Sequence, residues 1–204
     1  MPLDPAELNP NQIDALREVG NIGAGHAATA LSQLVGKKIF ITVPDVKVLT
    51  VAQIPGLAGD PNGLIAGLTL NILGDATGKI LVLFPRTAAL HLADILLKQE
   101  VGASQVLNEM GHSAIKEAGN ILTGAYLGAL NEFLGLLLLI SVPTLVFDVA
   151  GAVLSTVMQG LEKDAKVIVI DTRFVEQNET LSGYFILAPD TVSLRAIFQA
   201  IKVK

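Results

Sequence analysis

The stretch Asn9 to Pro44, NPNQIDALREVGNIGAGHAATALSQLVGKKIFITVP, occurs in this chain twice. Beginning 99 residues later, Asn108 to Pro143 reads NEMGHSAIKEAGNILTGAYLGALNEFLGLLLLISVP, and the two agree at thirteen of thirty-six positions. The shared residues are Asn9, Ala15, Glu18, Gly20, Asn21, Ile22, Gly25, Ala30, Leu31, Gly36, Ile41, Val43 and Pro44, each with its counterpart in the second copy. Unrelated segments would share roughly two or three. Solenoid repeats recur every ~20 to 50 residues, so this longer period marks two halves, about 9–98 and 108–201, of one domain spanning 1–204.

Each copy opens as a helix. Asn9-Pro10-Asn11-Gln12 supplies an N-cap asparagine, a proline at the first helical position and a glutamine at the third. Ile13, Leu16, Gly20, Gly23, Ala24, Ala27, Leu31 and Leu34 then recur at three- and four-residue steps, which makes one buried stripe. Gly36 provides the left-handed stop, giving about 25 residues of helix, roughly 38 Å long. Lys38 to Val43 alternates and ends at Pro44, so a strand follows. Further strands are predicted over Val46 to Ala52, Leu64 to Ile72 and Lys79 to Phe84, with turns at Asp60-Pro61-Asn62-Gly63 and Gly74-Asp75, and a helix over Arg86 to Lys98.

The second copy repeats this plan: a long helix to Gly135, a strand to Pro143, strands near Lys166 to Val175 and Gly183 to Ala188, and a final helix from Asp190. The halves differ most after the shared proline, where Val146 to Met158 reads as helical and Val46 to Ala52 as extended. The run Leu136 to Ile140 lacks clear alternation and reads as a strand buried on both faces or covered by a partner. The expected fold is α+β: a pseudo-two-fold arrangement with a central, mostly antiparallel sheet shared by the halves and both long motif helices on one face.

Composition narrows the function. With 51% hydrophobic and 16% charged residues the chain is not disordered, and 204 residues can bury a substantial core. Mean hydropathy is +0.56, yet the strongly apolar stretch Phe133 to Ile140 falls well short of the ~20 residues of a spanning helix, so no membrane insertion is expected. No basic segment followed by an apolar one opens the chain, and a cytoplasmic location is expected. The absence of cysteine excludes disulfides, thiol catalysis and thiolate metal sites. A net charge of −5 argues against a nucleic-acid partner. Neither the three histidines, His26, His91 and His112, nor the carboxylates show metal-ligand spacing.

The copied polar residues carry the chemistry. Asp14, Glu18, Asn21 and Gly25 step by four, three and four residues, which places them on one helix face away from the apolar stripe. Ser113, Glu117, Asn120 and Gly124 do the same in the second copy. A lone Glu-x-x-Asn is ordinarily a solvated face. Its survival in both copies, with glycine and proline kept, argues against an idle surface. Glutamate can pair with a cation, and asparagine both donates and accepts hydrogen bonds; together they suit orienting a water rather than attacking covalently. Gly20-Asn21-Ile22-Gly23-Ala24-Gly25 is not a nucleotide loop, because it lies inside a helix and lacks the G-x-G-x-x-G order after a strand. Those glycines instead admit a neighbouring helix or a partner's backbone. His26 reads as a surface or half-buried histidine and Tyr126 as core packing.

Asp14-x3-Glu18-x2-Asn21-x22-Pro44 and Ser113-x3-Glu117-x2-Asn120-x22-Pro143 resemble the paired signature of the CheC family, phosphatases of the chemotaxis response regulator CheY. The likeness extends over nearly the whole chain. It implies that Glu18 and Glu117 dock on a lysine of a phosphorylated CheY-type receiver, while Asn21 and Asn120 enter the receiver's active site and position the water that attacks its aspartyl phosphate. Asp14 and Ser113 open the two motifs and join the partner contact. No cofactor or metal is implied on this chain, because the receiver brings its own Mg²⁺. Phe147-Asp148-Val149-Ala150-Gly151-Ala152-Val153 resembles the helix through which family members bind CheD, a receptor glutamine deamidase, with Asp148 as the contact. The second motif has Leu122-Thr123 where the first has Gly23-Ala24, so the two sites need not be equally active. A monomer is expected. The alternative to catalysis is a noncatalytic adaptor that sequesters CheD or phosphorylated receiver.

Overall fold

Asn9 starts the first helix through a reciprocal cap: its Oδ1 accepts from the Gln12 amide at 3.0 Å, and Gln12 Oε1 accepts from the Asn9 amide at 2.9 Å. Asn108 caps the second motif helix on the Gly111 amide at 2.9 Å. Both helices run for 26 residues, α1 over Pro10–Val35 and α3 over Glu109–Leu134. Each stops at a left-handed glycine, Gly36 (φ 77°) or Gly135 (φ 70°).

The structure is a computed structural model that describes residues 8–176 and 179–203. After α1 come β1 (Phe40–Thr42), β2 (Val46–Thr50), a 3₁₀ helix over Val51–Leu57, β3 (Leu64–Gly74), β4 (Gly78–Pro85) and α2 (Arg86–Leu96). After α3 come β5 (Leu138–Ile140), β6 (Thr144–Val149), α4 (Ala150–Val157), β7 (Lys166–Glu176), β8 (Glu179–Pro189) and α5 (Thr191–Val203). All the strand pairs are antiparallel, in one sheet of order β1-β7-β8-β4-β3-β5.

Two long strands organise that sheet. At 11 residues each, β3 and β7 are long enough to hold two short strands end to end. Along β7 lie β1, with Phe40 opposite Val175, and β2, with Val46 opposite Ile170. Along β3 lie β5, with Leu139 opposite Leu73, and β6, with Asp148 opposite Ile65. Each motif helix therefore delivers its following strands to a hairpin formed by the other half. Alternating side chains split the core between the sheet's two faces. Leu68, Leu70, Ile80, Ile168 and Phe185 meet α1, α2, α3 and α5 on one face, while Ile65, Leu81, Val167 and Ile186 meet α4 and the 3₁₀ helix on the other. Both long helices occupy the same face, as expected.

The helices approach closely where Gly23 meets Tyr126. A Cβ on Gly23 would lie 2.8 Å from Tyr126 Cδ1 and 2.9 Å from Tyr126 Cα. The space left by one helix is filled by the other's phenol ring. That ring stacks at 4.7 Å on Phe185, its hydroxyl lies 3.2 Å from Thr172 Oγ1, and burial pushes its pKa up to about 12.

Besides Leu34, which the stripe predicts to be buried and which is 46% exposed near the end of α1, four sequence expectations need correction. Val146 to Val149 is not helical but belongs to β6, because pairing with β3 captures it; the helix begins only at Ala150. Val46 to Ala52 is extended only to Thr50 and then turns into the 3₁₀ helix, where Val51 and Ile54 are buried. The halves therefore agree after the shared proline, each with a strand followed by a helical segment. Third, Leu136 to Ile140 is not buried on both faces: β5 is an edge strand in which Leu139 is 53% exposed, and Leu137 just before it is 57% exposed. Fourth, Asp148 lies on β6, ahead of α4, rather than on a helix.

The segment joining the halves is clipped to α2. Asp94, fully buried at 0% exposure, accepts from the amides of Gly102 at 2.8 Å and Ser104 at 3.3 Å, and Arg86 donates to the Gln105 carbonyl. These contacts fix the approach to the Asn108 cap. Removing a buried acceptor strands its donors at about 1–3 kcal/mol. Asp94→Ala is expected to lower stability by about 2 kcal/mol, read from the urea midpoint; an unchanged midpoint would show that the segment holds without the clip.

Candidate functional site

The motif side chains stand where their helical spacing puts them. Asp14, Glu18, Asn21 and Gly25 are exposed along α1, and Ser113, Glu117, Asn120 and Gly124 along α3. A Cβ on Gly25 or Gly124 would meet nothing within 4 Å, so these two glycines are open surface beside the asparagines. Gly23 serves the helix crossing instead. His26 is exposed and Tyr126 lies in the core, as read from the sequence.

The two sites differ in how the proline loop meets the asparagine. In the first, Val43 is packed down at 4% exposure and its amide donates to Asn21 Oδ1 at 3.1 Å, pinning the carboxamide. In the second, Val142 is turned out at 86% exposure, and Asn120 makes no side-chain hydrogen bond among the described residues. The loop is held elsewhere: Ser141 Oγ accepts from the Asn71 amide at 2.9 Å, and the Ser141 amide donates to the Asn71 carbonyl at 3.0 Å. A groove of about 350 Å³ opens there, lined by Ser113, Lys116, Glu117, Asn120 and the loop from Ile140 to Pro143. Ser113 and Glu117 also border a more apolar groove of about 460 Å³ that includes Leu34, Leu96 and Met110.

Charge differs as well. Arg17 Nη2 lies 2.9 Å from Asp14 Oδ1 on the first helix. On β2, at the position opposite Val169 and on the sheet face away from α1, Lys47 sits 3.0 Å from Asp45 and 3.7 Å from Asp171, and the hydrogen bond to Asp45 with the attraction of Asp171 holds its ammonium above the usual lysine range. Sequence reasoning missed the Asn21–Val43 contact and the cations Arg17 and Lys116. The repeated Val-Pro pair signalled the first. The second could have been found by comparing charge, rather than identity, between the copies.

Asp148 stands apart from both motifs. It is exposed, and its Oδ1 accepts from the amide of Val149, the residue that caps α4. Among the described residues no three His, Asp or Glu side chains gather as a metal set, and no helix is long and apolar enough to cross a membrane.

This sheet and helix arrangement recurs in solved structures of proteins named FliY and FliM. Thermotoga maritima FliY superposes with a TM-score of 0.81 at 22% identity, covering 97% of this chain and 98% of that one. The FliM middle domain of H. pylori gives 0.72 at 11% identity, covering 95% and 99%. At those identities the likeness concerns the fold alone. The CheC-like family model matches residues 12–48 and 110–147, the two motif segments with their following strands. The CheY-P phosphatase CheC of Bacillus subtilis strain 168 is 35% identical over 199 residues, with 95% of each chain covered. The chain belongs to the CheC family.

Proposed function

We propose that this chain is a phosphatase that hydrolyses the aspartyl phosphate of a CheY-type receiver in the cytoplasm. The observation that carries this reading is the pair of exposed Glu and Asn side chains one turn apart on each of two motif helices, in a chain 35% identical to a protein named CheY-P phosphatase. Glu18 and Glu117 dock on a receiver lysine. Asn21 and Asn120 reach the phosphorylated site and orient the attacking water, and the receiver contributes the Mg²⁺. Holding a nucleophile in line supplies several kcal/mol of barrier reduction without a covalent step, which suits a surface whose exposed motifs hold only carboxylates, a hydroxyl and carboxamides.

The test is the decay of a phosphorylated CheY-type receiver with catalytic amounts of this chain. Faster decay supports the phosphatase; binding with unchanged or slower decay transfers the assignment to a noncatalytic adaptor.

CheD is proposed as a second partner, contacting Asp148 and the start of α4. The exposed surface there includes Val149, Gly151 and Ala152, small apolar groups beside one carboxylate. Asp148→Lys is expected to weaken CheD binding by at least tenfold in calorimetry while the receiver's dephosphorylation is retained. Equal CheD affinity would leave Asp148 as no more than a helix-start carboxylate.

A further inference from the structure

Arg17 and Lys116 occupy equivalent positions in the two copies, each one residue before the motif glutamate. Their company differs. Arg17 is paired on its own helix with Asp14 at 2.9 Å, whereas the residue equivalent to Asp14 in the second copy is Ser113. Among the described residues Lys116 has no carboxylate within ion-pair distance. Glu117 does not replace one, because adjacent residues on a helix point about 100° apart. Lys116 instead lines the 350 Å³ groove together with Asn120 and Ser141, at the place where Val142 has turned away.

We infer that Lys116 is a specificity-determining cation of the second site, which attracts the phosphoryl group of the receiver and makes this groove prefer the phosphorylated form. The inference rests on the proposed receiver-phosphatase function. A phosphoryl group adds about −1.5 to −2 charge to a hydroxyl side chain, and on the receiver's aspartate, whose carboxylate already carries −1, it adds about −1 together with three acceptor oxygens; a cation at the rim of an interface acts chiefly on encounter and salt dependence. At the first site the equivalent cation, Arg17, is instead shared with Asp14. The chain as a whole carries −5, so a lysine without a carboxylate partner beside Asn120 offers an anionic group a local attraction that the net charge does not.

The experiment uses the Asn21→Ala protein, in which the second site alone keeps its asparagine, with and without Lys116→Gln. At low salt the added change is expected to raise KM for the phosphorylated receiver about three- to tenfold with kcat within about twofold, and the difference should shrink at high salt as the charges are screened. Lys116→Arg should restore KM. Ser113→Asp, which sets a carboxylate three residues before Lys116, should reproduce part of the rise. In parallel, binding of a CheY-type receiver loaded with Mg²⁺ and beryllium fluoride, an acyl-phosphate mimic, is compared with binding of the unloaded receiver; the preference for the loaded form should fall by the same factor in Lys116→Gln. Equal KM and equal preference in the two proteins overturn the inference. If the unsubstituted protein binds the loaded receiver but hydrolyses nothing, the phosphatase reading fails while the preference still measures Lys116. If it binds neither form, both readings fail.

Discussion

The Asn21→Ala, Asn120→Ala double variant is expected to leave a phosphorylated receiver decaying at its own rate. Loss of one preorganised polar group that acts on the transition state costs about 10²–10³ in rate, and the two sites hold one such carboxamide each. Both side chains are exposed, so the change does not touch the core. Its structural cost is confined to the first site, where the Val43 amide loses the acceptor it meets at 3.1 Å. A net hydrogen bond is worth about 0.5–1.5 kcal/mol, or a few degrees in Tm for a chain of this size. Asn120→Ala alone should leave Tm unchanged, having no bond to lose. Accelerated decay that survives in the double variant would remove the asparagines from the mechanism, and a collapsed circular dichroism spectrum would make them structural residues.

The largest expected effect on stability belongs to Gly23→Val. The new side chain would have to enter a space where even its Cβ comes within 2.9 Å of the Tyr126 Cα. That neighbour is backbone and cannot rotate away, so α1 and α3 must separate or shift along each other. Overpacking of this kind costs about 1–3 kcal/mol, and a branched side chain at a helix crossing belongs at the upper end. Gly23→Ala should cost less, because alanine recovers about 1 kcal/mol of helix propensity. Gly25→Ala is the matched control: with nothing within 4 Å of its Cβ it should be neutral or stabilising. Urea midpoints decide the matter, and equal midpoints for Gly23→Val and the parent protein would show that the crossing is loose.

Much of this was legible in the sequence because it depends on local chemistry. Asn9, Asn108, Gly36 and Gly135 mark the ends of both long helices, since caps and left-handed stops are decided within a turn of the chain. The outward face bearing Glu18, Asn21, Glu117 and Asn120 follows from helical period alone. What could not be read depends on partners distant in sequence. Val146 to Val149 has apolar residues compatible with helix or strand, and only the free edge of β3 decides for strand. Leu137 and Leu139 look like core until β5 is found at the end of a sheet. The unequal loops at Val43 and Val142 follow sequences that both read Val-Pro, so nothing within the motif tells that one valine packs down on Asn21 and the other turns out.

The exchange of edge strands between the halves sets an order of events during synthesis. When α3, β5 and β6 leave the ribosome, the strand that receives them, β3, is already made. β1 and β2 have no such platform: Val46 meets its partner only at Ile170. At roughly 5–20 residues per second, that interval of about 120 residues lasts about 6–24 s. Through it the apolar stripe of α1 has no completed sheet on which to close, which makes it the stretch of the nascent chain most in need of protection. The first motif to be translated is therefore the one whose strand partner is made later.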